Sequence, residues 1–280
     1  MSRTNVNNPT CMPLAYPAMA LLMALACGTA RAQEQAAERQ EPISADRPDF
    51  VESSEVIGKG RIQIETSFLT ERERNDEERQ RSLSMPTLLR VGLSEALELR
   101  IESDGRTVQH TTQQATGERT TTAGYADTAF GLLWHAADAR GMRPSVGVLA
   151  SAELPTGSKR LRGEGVRPSL RVVGEWDLPG EMGLGLMPGI GVERSGETGR
   201  HTYGIFGAVL AKEFNPRLRG LVQLAMPQIA RSRHGGTEAS LGVGAAYLIS
   251  NDCQIDTLFS RGLNHRRPYA SWTVGLSFRL

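Results

Sequence analysis

The chain has 280 residues, a formal charge of +1, 39% hydrophobic side chains and only 5% aromatic ones. With 32 basic and 31 acidic residues it builds no field that would hold a phosphate backbone, so no nucleic acid partner is expected. Its 30 glycines recur inside apolar stretches such as Gly183–Val192, where they disfavour helix and suit a closed sheet.

The amino end predicts a leader. Arg3 is followed by an apolar run over 18–26 and by Ala30-Arg31-Ala32. This order of charged, apolar and small residues is that of a secretory signal peptide, residues 1–32, cleaved near Ala32. The apolar run is too short to cross a bilayer as a helix. Leu25-Ala26-Cys27-Gly28 leaves lipidation of Cys27 as an alternative. Cleavage removes two arginines and no acid, taking the formal charge from +1 to −1. It also removes Cys11 and Cys27, so Cys253 stays alone and no internal disulfide staples the exported protein.

Residues 33–60 read as a periplasmic N-terminal segment. Its densest part, Ser44–Val56, carries Asp46, Arg47, Asp49, Glu52 and Glu55 around Pro48. Pro48 disfavours helix at Arg47, so an extended run is predicted. Two roles stay open: a small plug or gate, with Arg47 paired to Glu65, Glu98 or Glu102 of a lumen wall, or a strap that pins the N-terminus. A metal site is not expected, because an arginine sits among the carboxylates and no histidine is near. No cofactor motif is present either. Thr156-Gly157-Ser158-Lys159 lacks the Gly-Lys pair of a phosphate loop.

From Arg61 onward the hydrophobic period is two. Ile62, Ile64, Thr66 and Phe68 alternate with Arg61, Gln63, Glu65 and Ser67. Twelve such segments are predicted, at 61–70, 82–92, 96–104, 124–135, 144–153, 168–176, 182–193, 202–214, 218–227, 237–249, 253–263 and 269–280. Each has the length a tilted strand needs to cross a membrane. The connections alternate long (71–81, 105–123, 154–167, 194–201, 228–236) and short, apart from the last, Asn264–Pro268. Long loops on one rim and tight turns on the other predict a transmembrane antiparallel β-barrel of the outer-membrane type over 61–280. A soluble β-sandwich or a secreted solenoid is the competing architecture. The barrel implies a Gram-negative outer membrane as location and its lipid as a partner.

The last strand ends in Thr273-x-Gly275-x-x-Phe278-x-Leu280. This resembles the terminal signal recognised by the barrel-assembly machinery, with leucine where the usual form has phenylalanine.

The chain also resembles the outer-membrane family named for the MetA pathway of phenol degradation, over residues 43–280. The resemblance is carried by Asp46-Arg47-Pro48-Asp49, Glu52-Ser53, Gly60, Gln63, Glu65, the run Leu88-Leu89-Arg90-Val91-Gly92-Leu93 and Glu98-Leu99-Arg100. It continues in Gly124-Tyr125-Ala126-Asp127, Leu154-Pro155-Thr156-Gly157 and Gly262-Leu263. It implies a transport barrel.

The non-lipid parity of the strands supplies lumen and gating candidates: Asp46, Arg47, Asp49, Glu65, Arg90, Glu98, Arg100, Glu102, Asp127, Glu153, Arg171 and Asp256. Gln63, Glu175, Arg219, Gln223, Gln254 and Arg279 share that parity, with Gly131, Gly147, Gly185, Gly242, Gly244 and Gly275 between them. Mixed charges on a wet wall set selectivity, whereas packed together they close the lumen. An enzyme is not expected. There is no Gly-x-Ser-x-Gly, four of the five histidines fall in or beside outer loops, and His135 is assigned to the lipid face. The function expected is passage of small solutes, aromatic or hydrophobic ones being what the family implies. A structural or interaction barrel that transports nothing is the alternative.

Overall fold

A computed structural model describes residues 42–74, 77–195, 199–264 and 270–280. The predicted leader and residues 33–41 lie outside the described residues.

The strands are β1 (Ile62–Arg74), β2 (Glu78–Ser84), β3 (Thr87–Gly92), β4 (Leu97–Ser103), β5 (Arg106–Gln113), β6 (Arg119–Tyr125), β7 (Thr128–Ala137) and β8 (Ser145–Leu154). They continue as β9 (Arg167–Leu178), β10 (Met182–Ser195), β11 (Gly199–Asn215), β12 (Leu218–Ile229), β13 (Glu238–Ser250), β14 (Cys253–Gly262) and β15 (Ala270–Arg279). Twelve of them close a ring in the order β1-β3-β4-β7 and then β8 through β15. β15 returns to β1, from Gln63↔Arg279 to Arg72↔Ala270, and every pairing is antiparallel. Closure removes the free edges that an open sheet would leave.

Two segments expected as loops are strands. Over 71–81 and 105–123 the upper part of β1 pairs with β2, β2 with β5 and β5 with β6. These hairpins continue the wall beyond the ring. Their threonines, glutamines and charges are polar on both faces, so the apolar alternation that marks a lipid-crossing strand is missing while strand propensity persists. The bend between β2 and β3 is at Met85-Pro86, opposite Gly105. Gly105 has φ +62°, and a Cβ there would lie 2.7 Å from the Met85 carbonyl oxygen.

The outer face of the ring is apolar. Phe68, Leu132, Val172, Val222, Val243 and Phe259 are exposed, Val243 by 57%. A ring of this kind in water would hide these side chains. Facing outward on six strands around the ring, they form a lipid-facing band. Phe278 shares this outward parity, opposite Ile64 and Cys253, while its neighbours Ser277 and Gly275 face inward.

The lumen has two different sides. β1, β3 and β4 turn Gln63, Glu65, Arg90, Glu98 and Arg100 inward, all buried. The opposite wall turns Val173, Met187, Val209, Leu221 and Leu258 inward. The alternation of charge, used alone to find inward positions, passes over this apolar side.

Candidate functional site

The N-terminal segment lies inside the barrel. The Ile43 N–H donates to the Asn251 carbonyl in the β13–β14 turn at 2.7 Å. The chain then rises into the lumen, reverses, and leaves at Gly60, whose N–H donates to the Gly92 carbonyl at 2.8 Å. Between these points Ile43, Asp46, Val51, Ser53, Ser54 and Ile57 are buried. The segment therefore fills the part of the lumen next to the short turns. Asp46–Asp49 is not extended as predicted. The Asp49 N–H donates to the Asp46 carbonyl at 3.0 Å, closing a turn around the cis Arg47–Pro48 peptide. The turn sends Asp46 toward one wall and Phe50 toward the other.

On the charged side Arg90, with no exposure, is the centre. Its Nε donates to Glu98 Oε1 at 2.7 Å and its Nη2 to Glu98 Oε2 at 3.1 Å. Its Nη1 reaches Glu65 at 3.2 Å and Asp46 at 3.3 Å. It also donates to the Ser44 and Glu55 carbonyls, tying both limbs of the segment to the wall. Arg100 pairs with Asp46 and, at 2.6 Å, with Glu52. Glu52 in turn accepts from Arg171 at 2.8 Å, and Asp49 accepts from Arg219 at 3.3 Å. Paired, multiply hydrogen-bonded charges of this kind are what burial requires.

Arg47 does not take the partners predicted for it. Its Nη2 donates to Thr273 Oγ1 at 2.7 Å, and its Nε lies 3.7 Å from Asp256 Oδ1. Only its backbone N–H reaches Glu65, at 3.1 Å. Arg90 already occupies Glu65 and Glu98, so the segment offers that wall a carboxylate, Asp46, and turns its arginine to β14 and β15. Gly275 makes room there: a Cβ would lie 2.6 Å from both Arg47 Nε and Asp256 Oδ1. Thr273 and Gly275, read from the sequence as part of an assembly signal, are thus also contacts of the segment.

Three other candidates stand apart from this cluster. Glu102 is exposed beyond the segment, in a shallow cleft that it lines with Arg100, Ser151 and Arg171. Asp127 and Glu153 belong to the long-loop rim. Asp127 accepts from the Gly157 and Gly163 N–H groups at 2.8 Å each and from Arg167 at 2.9 Å, and Glu153 pairs with Arg167 at 2.6 Å. Asp127 precedes β7, so it organises the 155–166 loop and not the lumen wall.

Several participants were missed. Ser54 donates from its N–H to Glu175 at 2.7 Å and also from its hydroxyl, and it sits 2.7 Å from the Ser145 hydroxyl. His135 faces the lumen, not lipid. Its Nδ1 donates to the Ser54 carbonyl at 2.9 Å, and its Nε2 meets Asp138 at 2.9 Å. The Phe50 N–H donates to Gln223 Oε1 at 2.7 Å. Strand parity marks Glu175 and Gln223 as inward but gives no sign of what they meet, and nothing in the strand pattern marks Ser54.

Wall glycines make the space for the segment. A Cβ at Gly147 would lie 2.8 Å from Ser54 Cα and 2.9 Å from its carbonyl oxygen, and one at Gly207 2.8 Å from Val51 Cγ2. Backbone cannot give way as a side-chain tip can. Gly147→Val is therefore expected to push the segment off the β8 wall while the ring still forms, read as faster proteolysis of the segment in a barrel of unchanged gel mobility.

Ionisation of the segment follows its surroundings. Burial works to raise the Asp46 carboxyl, but Arg100 and Arg90 outweigh it and hold the group below the usual range. Burial pushes Asp49 up to about 6 against the opposing pull of Arg219. Burial likewise pushes Glu52 up to about 8, outweighing the pull of Arg100 and Arg171 with the Asp46 charge adding to it. Raised carboxyls mean that docking takes up protons. Their contribution to docking is full in acid and lost as the pH rises through about 6 and then about 8. That of Asp46 is lost only in stronger acid.

The family described as "Putative MetA-pathway of phenol degradation" matches residues 45–280. No curated protein matches the chain significantly. Among solved structures, an outer-membrane channel of Pseudomonas putida F1 is similar at 12% identity and a TM-score of 0.59, covering 81% of this chain and 98% of that one. The β domain of the Bordetella autotransporter BrkA is similar at 12% identity and 0.53, covering 78% and 98%. The translocator domain of the autotransporter NalP from Neisseria meningitidis follows at 12% and 0.51, covering 92% and 97%. These likenesses establish the closed barrel and no more than that.

Proposed function

The chain belongs to this phenol-degradation family, and on that footing we propose that it is an outer-membrane channel for small solutes, closed by its own residues 43–57. The observation that carries the reading is the nature of the block. The ring encloses a lumen, and the turn-side part is filled by a segment that adds no strand to the wall. Such a segment can leave without breaking the barrel's hydrogen-bond ladder. The apolar outer band fits membrane lipid, and outer-membrane barrels place their short turns in the periplasm. The segment would then enter from the periplasmic side. The solutes expected are small, with aromatic or hydrophobic ones following from the family and from the apolar half of the lumen. The architecture serves passage and not catalysis in this reading.

Proteoliposomes carrying a chain that lacks residues 44–56 should swell in small neutral solutes faster than those carrying the full chain and faster than protein-free vesicles. Swelling at the protein-free rate, both for the full chain and for a chain lacking residues 44–56, would leave a structural barrel that transports nothing.

The terminal strand also supports delivery to the barrel-assembly machinery. Phe278 presents its ring outward two residues before the end. Phe278→Asp should lower the fraction of heat-modifiable barrel on gels, because a charge on the lipid face is costly. Wild-type amounts would remove Phe278 from the signal.

A further inference from the structure

We infer that the apolar wall around Val173, Met187, Val209, Leu221 and Leu258 is a binding site for a small uncharged aromatic molecule with one hydrogen-bond donor, held shut by the chain's own Phe50-Val51. The inference rests on the channel reading and adds to it what opens the channel.

Three observations converge. First, the wall is an apolar recess in a lumen otherwise lined with charge, and Val51 packs into it with 4% exposure. Apolar surface on the inside of a wet conduit is unfavourable unless it is covered, so the recess keeps either the segment or an apolar guest. Second, the present occupant has the chemistry of such a guest. Phe50 brings a phenyl ring against this wall and, from its N–H, a hydrogen bond to Gln223 Oε1 at 2.7 Å. Gln223 is itself buried while the segment is in place, so when Phe50 departs its carbonyl is free to accept from water or from a guest that brings a donor. Third, the floor is shaped for a flat group. A Cβ at Gly207 would stand 3.0 Å from Phe50 Cδ1 and 2.8 Å from Val51 Cγ2. Phe50, unlike Val51, is only partly buried, so it is the member of the pair that a competitor can reach. A ring with a hydroxyl matches both halves of what Phe50 supplies. Guest and segment exclude one another, so guest binding and opening are linked.

The test uses the full chain in detergent, with benzyl alcohol as the probe and glycerol as its control. Amide hydrogen exchange of residues 44–57 should accelerate at least fivefold with benzyl alcohol, along a saturating curve, while β9 to β12 stay protected. Glycerol should do nothing. Met187→Gln should raise the half-effective concentration about tenfold, the order expected when a fully buried apolar contact is replaced by an amide. Val209→Thr, nearly isosteric, takes its place if that variant does not fold. Unchanged exchange, an unsaturating rise, an equal response to glycerol, or indifference to both substitutions overturns the site. A chain that conducts once residues 44–56 are removed but ignores the probe keeps the channel and loses this site. A chain that responds to the probe but never conducts loses the channel instead.

Discussion

Removing residues 44–56 is expected to raise single-channel conductance severalfold while the barrel still assembles. The segment accounts for the obstruction of the turn-side lumen, yet every pairing of the twelve-strand ring is made without it. Its loss exposes Arg100, Arg171 and Arg219 to a lumen that water enters, where a free guanidinium is hydrated and costs little. Arg90 keeps Glu98 and Glu65 on the wall. The apolar side becomes wet, which weakens the barrel modestly but leaves its ladder intact. Planar-bilayer recording with a parallel gel-mobility assay separates conduction from assembly. Unchanged conductance in a folded barrel would reduce the segment to a strap.

Arg90→Met should do more damage than any other single change in the lumen. One guanidinium holds Glu98, Glu65 and Asp46 together, with no exposure of its own. Its removal leaves Glu65 with only Gln63, at 2.8 Å, and the backbone N–H groups of Asp46 and Arg47. It also releases both the Ser44 and Glu55 carbonyls of the segment. Breaking a buried pair by taking away one partner costs about 3–5 kcal/mol. The expected result is a lower urea midpoint together with a higher open fraction. Arg90→Lys should recover only part of the loss, because an ammonium cannot make the forked contact to Glu98. Wild-type stability and conductance in Arg90→Met would mean that the cluster is incidental.

The ring was legible because period-two alternation is a local property: each strand shows in its own residues which side meets lipid. The same alternation placed Glu65, Arg90, Glu98 and Arg100 on one inner wall, where they are found. What Arg47 meets was not legible, because the answer depends on which carboxylates Arg90 has already taken, and that is settled across strands distant in sequence. Ser54 and His135 were missed for a related reason. Their contacts exist only once the segment has folded back into the lumen, although the parity of Gly131 already turns His135 inward, since the register shift on that strand falls after it, between His135 and Ala137. The hairpin extension built from β2, β5 and β6 lacks an apolar face, so it looked like loop. The apolar recess is not legible from alternation, because valine and leucine occupy both faces of the strands that build it.

The central claim is that residues 43–57 occupy and close the lumen, and a reversible tether tests it most directly. The Ser54 and Ser145 hydroxyls are 2.7 Å apart, one on the segment and one on the wall, so Ser54→Cys with Ser145→Cys should form a disulfide with little movement. In a chain begun at Gln33, Cys253→Ala removes the one remaining thiol. Single-channel current through this protein should stay at its closed level under oxidising conditions and rise when a reductant is added, with the control lacking Ser145→Cys unaffected by either. The same current before and after reduction, with the disulfide shown to have formed and broken, would contradict the account.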